Sequence, residues 1–193
     1  MTDIDVAVLL GSLRADSINL GMARALAAVA PDGVRVTIVD GLAEVPFYNE
    51  DIDNGSVPSA ARNLRERVAA ADRLIAVTPE YNGSTPAVLK NAIDWVSKPY
   101  GEGAITGKPF AVVGAAPTPY GAKWSHEATA RSAEIAGARI VPDATLSQSA
   151  TDVDVATDPD VRAALRVILD RLVAFESGAS DVAHEEEAVR DSA

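Results

Sequence analysis

The sequence predicts an α/β fold: five parallel strands in one open sheet, with helices on both faces. Three observations point there. Short apolar runs alternate with helical patterns along the chain. The first run, IDVAVLLG, is apolar almost throughout and ends in glycine, as a strand buried on both faces requires. At 193 residues the chain suits one domain with a sizeable core, and it has no internal repeat and no interdomain linker.

The elements follow in order. Residues 4 to 11 form the first strand. Residues 18 to 30 are an Ala-rich helix, stopped by Pro31 and the Asp32-Gly33 turn. VRVTIVD, residues 34 to 40, alternates as a second strand, and residues 41 to 56 read as a long loop. Residues 57 to 71 form a helix with Pro58 near its start. RLIAVTP, residues 73 to 79, is a third strand ended by proline. Residues 84 to 98 are a helix with Ser84 or Thr85 as N-cap and Pro86 at its start. KPFAVVGAA, residues 108 to 116, is a fourth strand, followed by a helix over 121 to 137. ARIVP, residues 138 to 142, is a short fifth strand. Residues 158 to 176 form an amphipathic last helix capped by Asp158, with Pro159 at N1. Five strands in this alternation fit the flavodoxin-like order 2-1-3-4-5 better than a six-stranded dinucleotide fold.

Composition excludes several functions. The chain has no cysteine, so disulfides, thiolate metal sites and cysteine nucleophiles are ruled out. A net charge of -11 argues against general affinity for nucleic acid or anionic membranes. No apolar run approaches the ~20 residues of a membrane span. The acidic N-terminus lacks a signal peptide's basic region, so a cytoplasmic location is the expectation. Residues 176 to 193 carry six acids against one arginine, including Glu185 to Glu187, and read as a disordered or loosely helical acidic tail. The domain proper is then residues 1 to 175. The two histidines, His126 and His184, are too far apart to suggest a metal site, and no GxSxG elbow is present. His126 is expected on a helix surface. Lys90 and Asp94 are expected to pair along one helix, and Trp95 to pack in the core, with a subunit interface as its alternative.

In an open parallel sheet of this order, ligands bind beyond the carboxyl ends of the strands, between the first and third. The loops there are the two most unusual in the sequence. GSLRADSIN, residues 11 to 19, offers Ser12, Ser17 and Asn19 as donors and Arg14 as a full positive charge, at the start of a helix. It lacks both GxxxxGK[ST] and GxGxxG, yet it is equipped for a phosphate monoester; plain capping by Ser17 is the alternative. TPEYNGSTP, residues 78 to 86, is stiffened by proline at both ends. Tyr81 there suits a planar ligand, and the amides from Glu80 to Gly83 suit a heterocycle edge. An ordinary loop with a buried aromatic is the alternative.

GSLRADSIN, PFYNEDID and TPEYNGSTPAVLKNAIDWVS together resemble the NADPH-dependent FMN reductase family of flavodoxin-like proteins, which includes flavin, quinone, azo-dye and chromate reductases. The resemblance spans residues 4 to about 175 and leaves out the acidic tail. It implies an FMN cofactor whose phosphate meets Ser12, Arg14, Ser17 and Asn19. It implies that Pro79, Glu80, Tyr81, Asn82 and Gly83 contact the isoalloxazine ring, largely through backbone atoms. The third loop, GAAPTPYGAKW, departs from the family's usual GxSPG, so Ala116, Pro117 and Thr118 are its candidate ring contacts. The implied activity is ping-pong hydride transfer from NADPH or NADH to FMN, then reduction of a small-molecule acceptor. No protein side chain is implied as catalytic and no metal is expected, because the flavin carries the chemistry. A homodimer or homotetramer is implied. The rival readings are a flavodoxin-like FMN electron carrier that does not oxidise NAD(P)H, and a regulatory protein that has lost FMN.

Overall fold

In the computed structural model, residues 3 to 176 are described. Five strands form one parallel sheet: β1 (Ile4–Leu10), β2 (Val34–Ile38), β3 (Arg73–Val77), β4 (Pro109–Ala116) and β5 (Arg139–Ser149). Their order is β2-β1-β3-β4-β5, as the alternation predicts. Six helices connect and cover them: α1 (Ile18–Ala28), α2 (Glu50–Asp53), α3 (Ser59–Ala70), α4 (Ala87–Val96), α5 (Lys123–Ile135) and α6 (Pro159–Ala174). The expected acidic tail lies outside the described residues, apart from its first residue, Glu176.

Side chains alternate across each strand, so the central strands feed two cores. On one face Leu9, Leu74, Phe110 and Val112 pack against Leu64, Val68, Leu89 and Trp95 of α3 and α4. On the other, Val8, Ile75, Val77 and Val113 pack against Met22 and Leu26 of α1 and Leu165 and Leu169 of α6. Every residue of β4 is buried, which explains its unbroken apolar run. The last helix begins as predicted: the Asp158 side chain accepts from the Asp160 and Val161 amides, and Pro159 occupies the first turn, where no amide donor is needed.

Three elements differ from expectation. The loop over 41 to 56 contains a short 3-10 turn (Leu42–Glu44) and the single-turn helix α2, whose Asn49 caps the Asp51 amide. Neither Ser84 nor Thr85 caps α4, whose first turn has no side-chain cap. Ser84 instead pairs with Tyr81, and the Thr85 hydroxyl meets that of Thr129 on α5 at 2.9 Å. The fifth strand is longer than ARIVP: it runs to Ser149 after a register shift. Phe110 pairs with Ile140, but Val112 pairs with Thr145, so Val141 to Ala144 stand opposite Ala111. Asp143 takes a left-handed φ of 57° in this bulge, and Arg171 of α6 donates to its carbonyl.

Trp95 is wholly buried within the chain, so the interface alternative falls away. Its indole N–H donates to the Pro46 carbonyl at 2.7 Å, and the Asn91 side chain bonds Val45, Pro46 and Tyr48 backbone groups. These bonds hold the PFYNEDID loop on α4. Arg65 completes the link: it grips Asp53 with two hydrogen bonds and donates to the Trp95 carbonyl. The Arg65 guanidinium holds the Asp53 carboxyl below its ordinary pKa.

Candidate active site at the carboxyl edge of the sheet

Loops after β1, β3 and β4 converge at one edge. The Gly11 amide donates to the Val77 carbonyl at 2.8 Å, carrying the β1–β3 pairing one step beyond the strands. A Cβ on Gly11 would stand 2.5 Å from the Thr78 hydroxyl, so only glycine lets the first and second loops approach this closely. On the other side of Thr78, a Cβ on Gly114 would stand 1.9 Å from the Thr78 carbonyl oxygen. Thr78 is thus wedged between β1 and β4.

The first loop leaves several donors without a protein partner. Among the described residues, the amides of Ser12, Leu13 and Arg14 donate to no protein group. Ser12 is buried and Arg14 is exposed. The Ser17 hydroxyl accepts from the Leu20 amide at 3.4 Å, which leaves its own proton free to donate outward. Capping and ligand binding are therefore compatible roles for this serine. The unpaired amides and the positive end of the α1 dipole favour a bound anion here, and the donor set suits a terminal phosphate.

The Asn19 side chain has a partner within the protein. It is 3% exposed, and its amide bonds Ala115: Nδ2 donates to the carbonyl and Oδ1 accepts from the amide, both at 2.9 Å. The side chain substitutes for a neighbouring strand and pins the start of α1 over β4. Asn19 is thereby a strut under the loop.

The second loop is a tight hairpin. Tyr81 and Ser84 exchange both backbone hydrogen bonds, and the residues between them take left-handed φ values, 52° for Asn82 and 69° for Gly83. Asn-Gly is the pair such a two-residue turn favours. The amides of Glu80, Asn82 and Gly83 bond no protein group among the described residues, so they are available to a ring edge. Tyr81 is about half exposed rather than buried. The Glu80 carboxylate points elsewhere. It accepts from the amides of Trp124 (3.0 Å) and Ser125 (3.2 Å) in the first turn of α5. That helix has no cap of its own, since Ala122 precedes it at φ 70°. Glu80 supplies the cap from another loop, and this ties the second loop to the third.

In the third loop Ala116 is buried, its carbonyl bonded to the Ala150 amide, whereas Pro117 and Thr118 are exposed. The candidates from all three loops therefore lie at the same edge of the sheet, with Asn19 also bonded to β4.

His126 is the group that the sequence reading misplaced. It is 4% exposed, not on the surface. Its Nδ1 lies 2.8 Å from the Ser147 hydroxyl, while Nε2 is enclosed beside Gly114 and makes no hydrogen bond of normal geometry. Burial pushes its pKa down to about 4, partly offset by the Thr78 backbone, so the imidazole is neutral at physiological pH. No cluster of three metal-binding side chains occurs among the described residues. None of their helices is long and apolar enough to cross a membrane.

The chain is similar to several known proteins. The chain is 46% identical over 111 residues to a 2-hydroxy-1,4-benzoquinone reductase from a Burkholderia species, a match covering 58% of this chain and 60% of that protein. It is 43% identical over 127 residues to a quinone reductase of Pseudomonas putida, covering 66% and 68%. Among solved structures it resembles FerB, a flavoenzyme NAD(P)H:(acceptor) oxidoreductase from Paracoccus denitrificans, with a TM-score of 0.72 and 26% identity over 88% of this chain and 97% of that one. The family model described as NADPH-dependent FMN reductase matches residues 4–152, a span containing all three loops. The chain belongs to the NADPH-dependent FMN reductase family.

Proposed function

We propose that this protein is an FMN-dependent NAD(P)H oxidoreductase that passes two electrons to a small quinone-type acceptor. One observation carries the reading. A helix-start anion loop and an amide-rich hairpin sit side by side at the ends of β1 and β3, closed up by Gly11 against Thr78. That pairing suits a ligand with a phosphate at one end and a flat heterocycle at the other. The quinone reductases among its relatives support the choice of acceptor.

FMN, when bound, supplies the hydride and electron chemistry. The chain's own part is binding and orientation. Ser12, Arg14 and Ser17, with the free amides of the first loop, hold the phosphate. Asn19 fixes the helix that presents them. The amides of Glu80, Asn82 and Gly83 address the ring edge, Pro79 and Tyr81 flank it, and Ala116 and Pro117 close the third side. NADPH or NADH and the acceptor use the same open edge in turn, in a cytoplasmic homo-oligomer.

Purified protein loaded with FMN is expected to keep the cofactor through gel filtration. Anaerobic NADPH is then expected to bleach the flavin's visible band, and a quinone to restore it. Retained FMN that NADPH leaves unbleached would establish the electron-carrier alternative instead.

A further inference from the structure

The loop from β4 to α5 carries a feature the flavin reading does not use. Tyr120 and Trp124 lie against each other, ring centroids 4.8 Å apart and tilted by 49°, yet remain 59% and 44% exposed. A pair made only for stability would be covered. Exposed aromatic surface held in fixed geometry marks a binding surface.

The pair is held rigidly. Pro117 and Pro119 fix the backbone before it. Gly121 presses the turn onto β5, where a Cβ would stand 2.6 Å from the Ser147 and Gln148 backbone. The Trp124 amide is bound by the Glu80 carboxylate. Through that bond the pair is fixed to the hairpin carrying Tyr81, a third exposed aromatic, 49% accessible.

Its chemistry is selective. The neighbouring cation, Lys123, faces Glu127 at 3.8 Å, and the two prolines offer no amide donor. The exposed Lys123 is offset by Glu127, whereas Arg14 and the unpaired amides of the first loop stand on the far side of the hairpin, so the stronger anion site lies away from the aromatic pair. The surface suits an uncharged flat ring.

We propose that Tyr120 and Trp124 form a stacking wall that selects planar aromatic electron acceptors. This inference rests on the proposed oxidoreductase activity and names residues that decide its acceptor. The redox balance is that of that activity: two electrons and two protons, drawn from NAD(P)H and solvent, convert the quinone to hydroquinone.

The test compares a naphthoquinone with ferricyanide, an acceptor with no ring to stack, using the FMN-loaded protein. In Tyr120→Ala/Trp124→Ala, kcat/KM for the naphthoquinone relative to ferricyanide is expected to fall about ten-fold, mainly through KM, and Tyr120→Phe/Trp124→Phe to recover most of it. An equal fall for both acceptors, or a rise confined to the KM for NADPH, overturns the proposal. So does a change of oligomeric state in the alanine variant, which would mean that the pair is buried against a second copy. A binding measurement stands apart from turnover. The chain has two tryptophans, and Trp95 is wholly buried. The naphthoquinone is therefore expected to quench Trp124 fluorescence saturably, and strictly linear quenching overturns the wall. A native protein that never oxidises NADPH refutes the proposed function, and quenching still decides the wall.

Discussion

His126 makes the fold sensitive to acid, and its contribution is calculable. An unfolded imidazole titrates near 6.5, whereas burial holds the folded one near 4. Between those values the unfolded chain binds the proton and the folded chain does not. Stability is therefore fully present above the unfolded value, falls as pH drops through the window, and levels off below about 4. The whole effect is up to about 3 kcal/mol, at about 1.4 kcal/mol per tenfold in proton affinity. Between about pH 7 and about pH 5, linkage assigns about 2 kcal/mol of lost stability to this one residue. Urea unfolding at both pH values measures it, comparing the native chain with His126→Asn, which keeps a polar partner for Ser147 but does not titrate. His126→Gln serves as a second variant if asparagine packs poorly. The native chain is expected to lose about 2 kcal/mol more than either variant. Parallel loss in native and variant proteins would refute the reasoning, because the acid sensitivity would then arise elsewhere.

Other perturbations separate ligand contacts from struts. Arg14→Ala is expected to weaken FMN retention by about ten-fold while leaving the melting temperature unchanged, since one exposed charge is lost and no packing. Ser17→Ala is expected to weaken retention and also to cost about 1 kcal/mol in urea unfolding, because it removes the cap of α1. Unchanged FMN affinity in both variants would sink the phosphate assignment. Asn19→Ala is expected to cost about 2 to 3 kcal/mol, leaving the buried Ala115 amide and carbonyl unpaired; a cost near zero would show that the strut carries no load. Arg65→Lys keeps the charge but loses the fork on Asp53 and the Trp95 bond, so a loss of about 2 kcal/mol is expected in thermal or urea unfolding.

The parts of this molecule that were legible from sequence are those governed by local chemistry. The apolar run of β1, the Asp158-Pro159 start of α6 and the Asn-Gly hairpin each state their conformation within a few residues. The parts that were not legible depend on partners distant in the chain. The polar residues after Pro142 do not look like a strand, because β5 is an edge strand, is interrupted by a bulge, and pairs only with β4. That hidden extension also conceals His126, whose hydroxyl partner, Ser147, lies on it. Asn19 looks like a donor within its own loop, and only the placement of Ala115 reveals that its amide also bonds β4. Thr85 looks like a cap until α5 brings Thr129 beside it. Glu80 reads as part of a ring-contact motif, whereas its carboxylate serves a helix more than forty residues on.

The Glu80 carboxylate has a consequence for affinity. A loop that is loose in the free protein loses conformational entropy when it closes on a ligand, at a cost of about 1 kcal/mol for each side chain immobilised. Here the two-residue turn leaves the hairpin few alternative shapes, and one carboxylate anchored on two α5 amides fastens it to the neighbouring loop. The walls of the proposed ring site are thus ordered before a ligand arrives. On the proposed function, successive occupants of the cycle bind without re-ordering them, and contact geometry stays constant from one turnover to the next.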